Sequence, residues 1–238
     1  MSVLANTDIV ILAGGLGKRL AAVTGGGQKV LAQINGKPFL SILIEYIASQ
    51  GGHRFILCTG HGAADVEDQL ARTHSNLEIL FSREETPLGT GGAIKKGSLL
   101  VKTPQYLAMN GDCFCVIDYN QLIAAHQKNN AKATIAVTHI DDAREYGTIE
   151  FDARGQIQAF KEKQPRLAPA FINTGTYCLD RKAFGLVATP DKFSIEYDFF
   201  PHLVGKDFYG FEVENKFIDI GTPERYAWAQ EHLKGLAS

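Results

Sequence analysis

Short apolar runs recur along this chain, and in its first half segments of helical character separate them. The runs are "DIVILA", "RFILCTG", "LEILF", "YLAMN", "ATIAVT", "INTGTYCL" and "KFIDIG". Between them, "PFLSILIEYIASQGG" carries apolar residues at helical spacing and stops at a glycine pair. "GAADVEDQLART", "TGGAIKKGSLLV" and "DYNQLIAAHQKNN" have the same character, the last with Asp118 placed as an N-cap. Parallel strands need crossover connections, and helices supply them while covering the sheet. The pattern predicts an α/β, Rossmann-like fold: a mixed, mostly parallel sheet with helices on both faces. Residues 145–180 depart from it. There "YGTIEFDARGQIQAFKEK" alternates its side chains around "DARG" and predicts a hairpin. The second half is therefore expected to add antiparallel strands that wall a site.

The first apolar run breaks into Gly14, Gly15, Leu16 and Gly17, followed at once by Lys18 and Arg19. Glycines after a strand let the backbone approach a ligand closely, and exposed N–H groups there favour anions, phosphate above all. Two standard phosphate loops do not fit. The P-loop spacing puts Leu12 where its first glycine belongs, and the dinucleotide fingerprint that starts at Gly15 and Gly17 meets Leu20 at its last glycine. A tight turn with solvated cations is the plain alternative. Against it stands "TGGGQKVLAQINGKPFL", with three more glycines and Lys29 before the first helical segment. A loop with Arg19 at one end and Lys29 at the other is suited to close over a polyphosphate.

Bulk properties narrow the classes. The chain has 238 residues, 45% hydrophobic and 21% charged, enough for the sizeable core of a soluble globular domain. A net charge of -2 gives no positive field for nucleic acid. No run reaches the roughly 18 apolar residues of a membrane span, and "MSVLANTDIV" lacks the pattern of a signal peptide. Cys58, Cys113, Cys115 and Cys178 lie in apolar or strand-like contexts without metal spacing, which predicts a reduced, cytoplasmic setting.

Taken together, "LAGGLGKRL", the downstream lysine and "NGKPFL" resemble the sugar-1-phosphate nucleotidylyltransferases. Their signature is a Gly-Gly-x-Gly-x-Arg loop with a lysine about ten residues on. This chain departs from it in two places. "QKV" stands where members usually carry Pro-Lys-Pro, which leaves the loop less constrained, and Lys18 replaces the usual threonine. The resemblance runs over nearly the whole length. It implies one domain of the nucleotide-diphospho-sugar transferase type over residues 1–238, with a nucleotide-binding part to about 115 and a sugar-phosphate part from about 116.

Residue by residue, the resemblance implies nucleotide contacts from Leu12, Ala13, Gly14, Gly15 and Gly17, and from Glu84, Glu85, Gly89 and Thr90 of "EETPLGTGGAI". A carboxylate only accepts hydrogen bonds, so Glu84 or Glu85 suits the N1–H and N2 amino protons of guanine. Asp112 in "MNGDCF" and Asp219 in "KFIDIGTPERY" each follow an apolar strand. Two carboxylates beside a polyphosphate suit Mg²⁺, and in the family both positions hold the metal. An N-cap is the alternative for Asp219. Gly147 of "EYGTIEFD", Glu162 and Lys163 of "FKEKQP" and Asn173 of "FINTGTYCL" are implied on the sugar-phosphate side. "FSIEYDFFP" reads as an amphipathic helix start capped by Ser194, marking the subgroup rather than the chemistry.

Such a site implies transfer of a nucleotidyl group from a nucleoside triphosphate to a sugar 1-phosphate. The sugar phosphate is already an anion, so it needs no general base. Catalysis then consists of alignment and charge neutralisation by Arg19, Lys29 and Asp112. The motifs look most like those of guanylyltransferases acting on D-glycero-α-D-manno-heptose 1-phosphate in surface-glycan pathways, such as those of lipopolysaccharide or capsule, with a hexose 1-phosphate as a related substrate. Competing readings are a uridylyltransferase acting on an amino-sugar 1-phosphate, such as N-acetylmuramic acid 1-phosphate, and an inactive nucleotide-sugar sensor. The mostly apolar segment "YAWAQEHLKGL" is suited to cover either the chain's own sheet or a partner copy in a homo-oligomer.

Overall fold

The first apolar run becomes the strand around which the others assemble. A computed structural model gives the fold and describes residues 2–15, 19–20, 27–161, 168–214 and 217–234. In chain order the strands are β1 (Asp8–Leu12), β2 (Gln33–Ile34), β3 (Lys37–Pro38), β4 (Arg54–Thr59), β5 (Glu78–Arg83), β6 (Gln105–Asn110) and β7 (Cys113–Cys115). Then come β8 (Ala133–Ile140), β9 (Thr148–Phe151), β10 (Ile157–Lys161), β11 (Ala170–Asp180), β12 (Phe208–Glu212) and β13 (Phe217–Asp219). The α-helices are α1 (Phe39–Ser49), α2 (Ala63–Thr73), α3 (Gly89–Gly97), α4 (Tyr119–Lys128), α5 (Phe200–Leu203) and α6 (Pro223–His232).

β5, β4, β1 and β6 lie side by side and run parallel. Their continuous apolar character follows from burial on both faces. Ile9 and Ile11 of β1 point to one core with α1, α2 and α4, while Val10 points to another with α3 and α5. Each such side chain, fully buried, contributes about 1.5–3 kcal/mol. The chain runs from β1 outward to β4 and β5, then returns to place β6 on the other side of β1. That reversal opens a crevice beyond the carboxyl ends of β1 and β6, where ligands of such sheets bind.

The second half adds antiparallel structure as expected. β9 and β10 form the hairpin around "DARG", closed by the Gly155 N–H donating to the Asp152 carbonyl. β11 pairs antiparallel with β6, β8 and β9, and β12 extends the sheet parallel to β8. Asp118 caps α4, accepting the N–H groups of Asn120 and Gln121. Ala229 and Leu233 of the C-terminal segment pack into the chain's own core, while Trp228 is exposed. None of the described helices is long and apolar enough to cross a membrane.

Two expectations are revised. "KFIDIG" does not join the main sheet: β13 is three residues long and pairs with β7 alone. "FSIEYDFFP" does carry Ser194 as a cap, but opens a π-helix over Ile195–Phe199 before α5 instead of an ordinary α-turn.

Candidate active site

Two cavities open side by side at the crevice. The first, about 320 Å³, is lined by Leu12, Gly14 and Gly15 of the glycine loop, by Glu84, Gly89 and Thr90, and by Lys29, Asn110 and Asp112. The second, about 220 Å³, takes Arg19, Gly147, Asn173 and Asp219, and again Lys29, Asn110 and Asp112. The shared residues form the wall where the cavities meet. There the Lys29 ammonium donates to Asp112 Oδ2 at 2.5 Å. Lys29 begins a 3-10 turn whose next residue, Val30, is buried and fixes the lysine's position.

Asp219 reaches the same wall through backbone pairing. In the β7–β13 ladder Asp219 sits opposite Cys113, and the Ile220 N–H donates to the Asp112 carbonyl at 3.1 Å. Two acids far apart in the chain are therefore neighbours. Asp219 is not a helix cap; Thr222 caps α6. A Cβ placed on Gly221 would stand 2.7 Å from Asp219 Oδ1, 3.7 Å from an Arg225 nitrogen and 3.8 Å from Lys29 Nζ, so these charges converge on one point.

The Asp219 carboxylate accepts from the Tyr146 hydroxyl at 2.6 Å, the Gly221 N–H at 2.9 Å and Arg225 at 3.1 Å. Burial and the adjacent Asp219 charge push the Tyr146 phenol up, which keeps it a proton donor. Burial alone would depress Arg225, but Asp219 together with Tyr146 and Glu145 more than offsets it, and the guanidinium stays charged. Its guanidinium carbon lies 4.7 Å from the Tyr146 ring centroid, a cation–π contact.

Sequence reasoning overlooked Tyr146, Arg225 and Asn110. Tyr146 precedes the glycine on which the motif reading settled. Arg225 was legible from a simple requirement, since a largely buried carboxylate needs a counter-charge and "TPERY" supplies one in the first turn of the helix that follows. The Asn110 Oδ1 atom is buried with no hydrogen-bond partner among the described residues, an acceptor placed where both cavities meet.

Other expected residues stand apart from the cavities or are committed elsewhere. Ala13 is buried behind the loop and gives its N–H to the Cys58 carbonyl. Glu85 is exposed and lines neither cavity, because the chain turns there and consecutive side chains diverge. Glu84 does line the first cavity, with Oε2 accepting the Leu88 N–H at 2.8 Å. Asn173 spends its amide internally, accepting the Gly175 N–H at 2.8 Å and donating to the Tyr177 hydroxyl at 3.0 Å. This braces a bulge in β11 where Gly175 adopts a φ of +74° against Asn110, a conformation and a proximity that exclude a side chain. Gly17, Glu162 and Lys163 lie outside the described residues.

The chain matches the model of the nucleotidyl transferase family over residues 8–235. It is 35% identical to the D-glycero-alpha-D-manno-heptose 1-phosphate guanylyltransferase of Aneurinibacillus thermoaerophilus, covering 95% of this chain and 98% of that protein. The mannose-1-phosphate guanylyltransferase of Mycobacterium tuberculosis is 31% identical over 97% of this chain and 66% of its own length. Among solved structures, HddC from Yersinia pseudotuberculosis complexed with GMP-PN superposes with a TM-score of 0.83 at 38% identity, covering 96% of this chain and all of that one. A glycine-loop crevice, acids joined by a backbone ladder and these likenesses over almost the full length agree: the chain belongs to the nucleotidyl transferase family.

Proposed function

We propose that this enzyme transfers a guanylyl group from GTP to a sugar 1-phosphate, D-glycero-α-D-manno-heptose 1-phosphate or a related hexose 1-phosphate, and releases pyrophosphate. The observation that carries the reading is the Lys29–Asp112 pair on the shared wall of the two cavities. A cation and an acid at that junction stand where two phosphates would meet. The nucleotide occupies the first cavity, with Glu84 offering an acceptor to the guanine edge. The sugar occupies the second, against Gly147 and Asn173, with Glu162 and Lys163 assigned to it by family motif. The names of the relatives and the nucleotide in the HddC complex support guanine.

An oxygen of the sugar phosphate attacks the α-phosphorus and forms the new P–O bond. The bond to the bridging oxygen of the β-phosphate breaks, and pyrophosphate leaves with that electron pair. Arg19 and Lys29 offset the repulsion between the two anions and hold them in line. Asp112 and Asp219 offer oxygen donors and no sulfur or imidazole, the donor set of a hard cation that completes its shell with phosphate and water. These two acids would hold Mg²⁺, which when bound neutralises charge on the reacting phosphates. The four free thiols suit a reducing cytoplasm.

A matrix of nucleoside triphosphates against heptose, mannose and amino-sugar 1-phosphates, read by pyrophosphate release, tests the assignment. GTP with heptose 1-phosphate should turn over fastest. Faster turnover with UTP or CTP overturns the guanine assignment. Nucleotide binding without pyrophosphate from any pair leaves a sensor in place of an enzyme.

A further inference from the structure

We propose that Glu196, in the "FSIEYDFFP" segment, is a specificity residue that reads a hydroxyl of the sugar; this rests on the sugar 1-phosphate reading above. Glu196 lines the second cavity together with Gly147 and Gly175. It arrives there because the segment that carries it is seated against the first turn of α3. A Cβ on Gly91 would lie 2.2 Å from the Phe193 ring and 2.9 Å from the Ile195 nitrogen, and one on Gly92 would lie 2.3 Å from the Asp191 carbonyl oxygen. The glycines of "PLGTGG" thus admit residues 191–195 at backbone distance. The N–H groups of Gly91 and Gly92 donate to the Phe193 carbonyl at 3.0 and 3.3 Å, so this helix start is committed to the segment.

The carboxylate is held firmly. Its Oε2 accepts from the Thr90 hydroxyl at 2.6 Å and the Ser194 hydroxyl at 2.7 Å, and the Ile195 N–H secures Thr90 at 3.0 Å. Two donors on one oxygen fix the carboxylate and leave the lone pairs of Oε1 to offer. Among the described residues Glu196 has no cationic partner, although Arg19, Lys29 and Arg225 line the same cavity. A carboxylate repels a phosphate and welcomes a donor, and the donors of a sugar 1-phosphate are its hydroxyls. The ligand is thereby oriented, phosphate toward the cations and a hydroxyl toward Glu196. The π-helix, a form that occurs at functional sites, sets the side chain there.

The test crosses the enzyme with its substrate. Wild type, Glu196→Gln and Ser194→Ala are assayed with GTP and either mannose 1-phosphate or each of its monodeoxy analogues. A hydrogen bond to a charged group is worth roughly 10- to 100-fold. Glu196→Gln should lower kcat/KM for the intact sugar by about that factor at an unchanged KM for GTP. One deoxy sugar should show the same loss with wild type and no further loss with Glu196→Gln. Ser194→Ala removes part of the brace but keeps the carboxylate, so it should retain that selectivity. If Glu196 only braces α3, both variants will raise the KM for GTP alike, and losses will add across every deoxy sugar; either result overturns the inference. Should wild type itself lose less than tenfold on all deoxy analogues, the inference falls however the variants fold. Wild type inert with every sugar 1-phosphate would instead defeat the underlying reading.

Discussion

Replacing Asp219 with asparagine separates the chemistry of the site from its architecture. Asparagine keeps an oxygen for the Gly221 N–H and for Arg225, which stand 2.9 and 3.1 Å away. Its amide nitrogen then faces the Tyr146 hydroxyl, 2.6 Å from the present oxygen, and that hydroxyl can accept instead of donate. The shape survives and the negative charge is lost. The Arg225 and Asp219 side chains are 29% and 10% exposed, but the hydrogen bonds and the Tyr146 ring stacking are kept, so exchanging a charged acceptor for a neutral one should cost folding about 1 kcal/mol. For a chain of this size that lowers Tm by about 2–4 °C. The reaction should lose far more: one preorganised charged group is typically worth about 3–4 kcal/mol, or roughly 100- to 1,000-fold in kcat. Pyrophosphate release, a thermal melt and a Mn²⁺ titration of the protein measure the three quantities. A variant that keeps kcat within about tenfold of wild type and binds Mn²⁺ equally well would show that Asp219 only ties α6 to the sheet.

Three further outcomes are expected. Lys29→Met should cut kcat by about 100-fold while the far-UV circular dichroism spectrum is unchanged, because the ammonium sits on the shared wall and methionine keeps an apolar stem of similar length. Gly91→Ala should destabilise by about 1–3 kcal/mol in urea unfolding, since its methyl would stand 2.2 Å from the Phe193 ring. His126 is buried against the Thr134 hydroxyl, and burial pushes its imidazole down to about 4. As pH falls below about 6.5 the unfolded chain takes up a proton that the folded chain refuses, so stability declines until about pH 4, by up to about 3 kcal/mol. His126→Leu should flatten that slope in pH-dependent melts.

Much of the fold was legible in the sequence because burial on both faces leaves an uninterrupted apolar run, as in "RFILCT". The helices between such runs announced the parallel half, and "DARG" announced the hairpin. The run of β13 was legible in "KFIDIG", but its pairing with β7 apart from the main sheet was not, because three residues are too few for a period that would place them. The lining of the cavities was legible where a residue type suggests a chemistry, as at Asp112 and Asp219, which both line the second cavity. It was not legible where the deciding fact is a partner brought in from elsewhere. Arg225 is one more exposed-looking cation until Asp219 is beside it, and nothing in "FINTGTYCL" foretells that Asn173 also braces Gly175 and Tyr177. Glu196 has no helical pattern that marks it. Its placement depends on glycines about a hundred residues earlier in the chain.

The acids and the sugar-facing carboxylate are mounted on different scaffolds. Asp112 and Asp219 are spaced by the interstrand bonds of β7 and β13, a framework that no neighbouring loop has to hold. Glu196 rides on an excursion between β11 and β12, seated in the core by Ile195 and Phe199 and joined to the glycine helix by hydroxyls and a carbonyl. Substrate preference can therefore be rewritten by editing that excursion, while the apparatus for phosphorus chemistry keeps its dimensions.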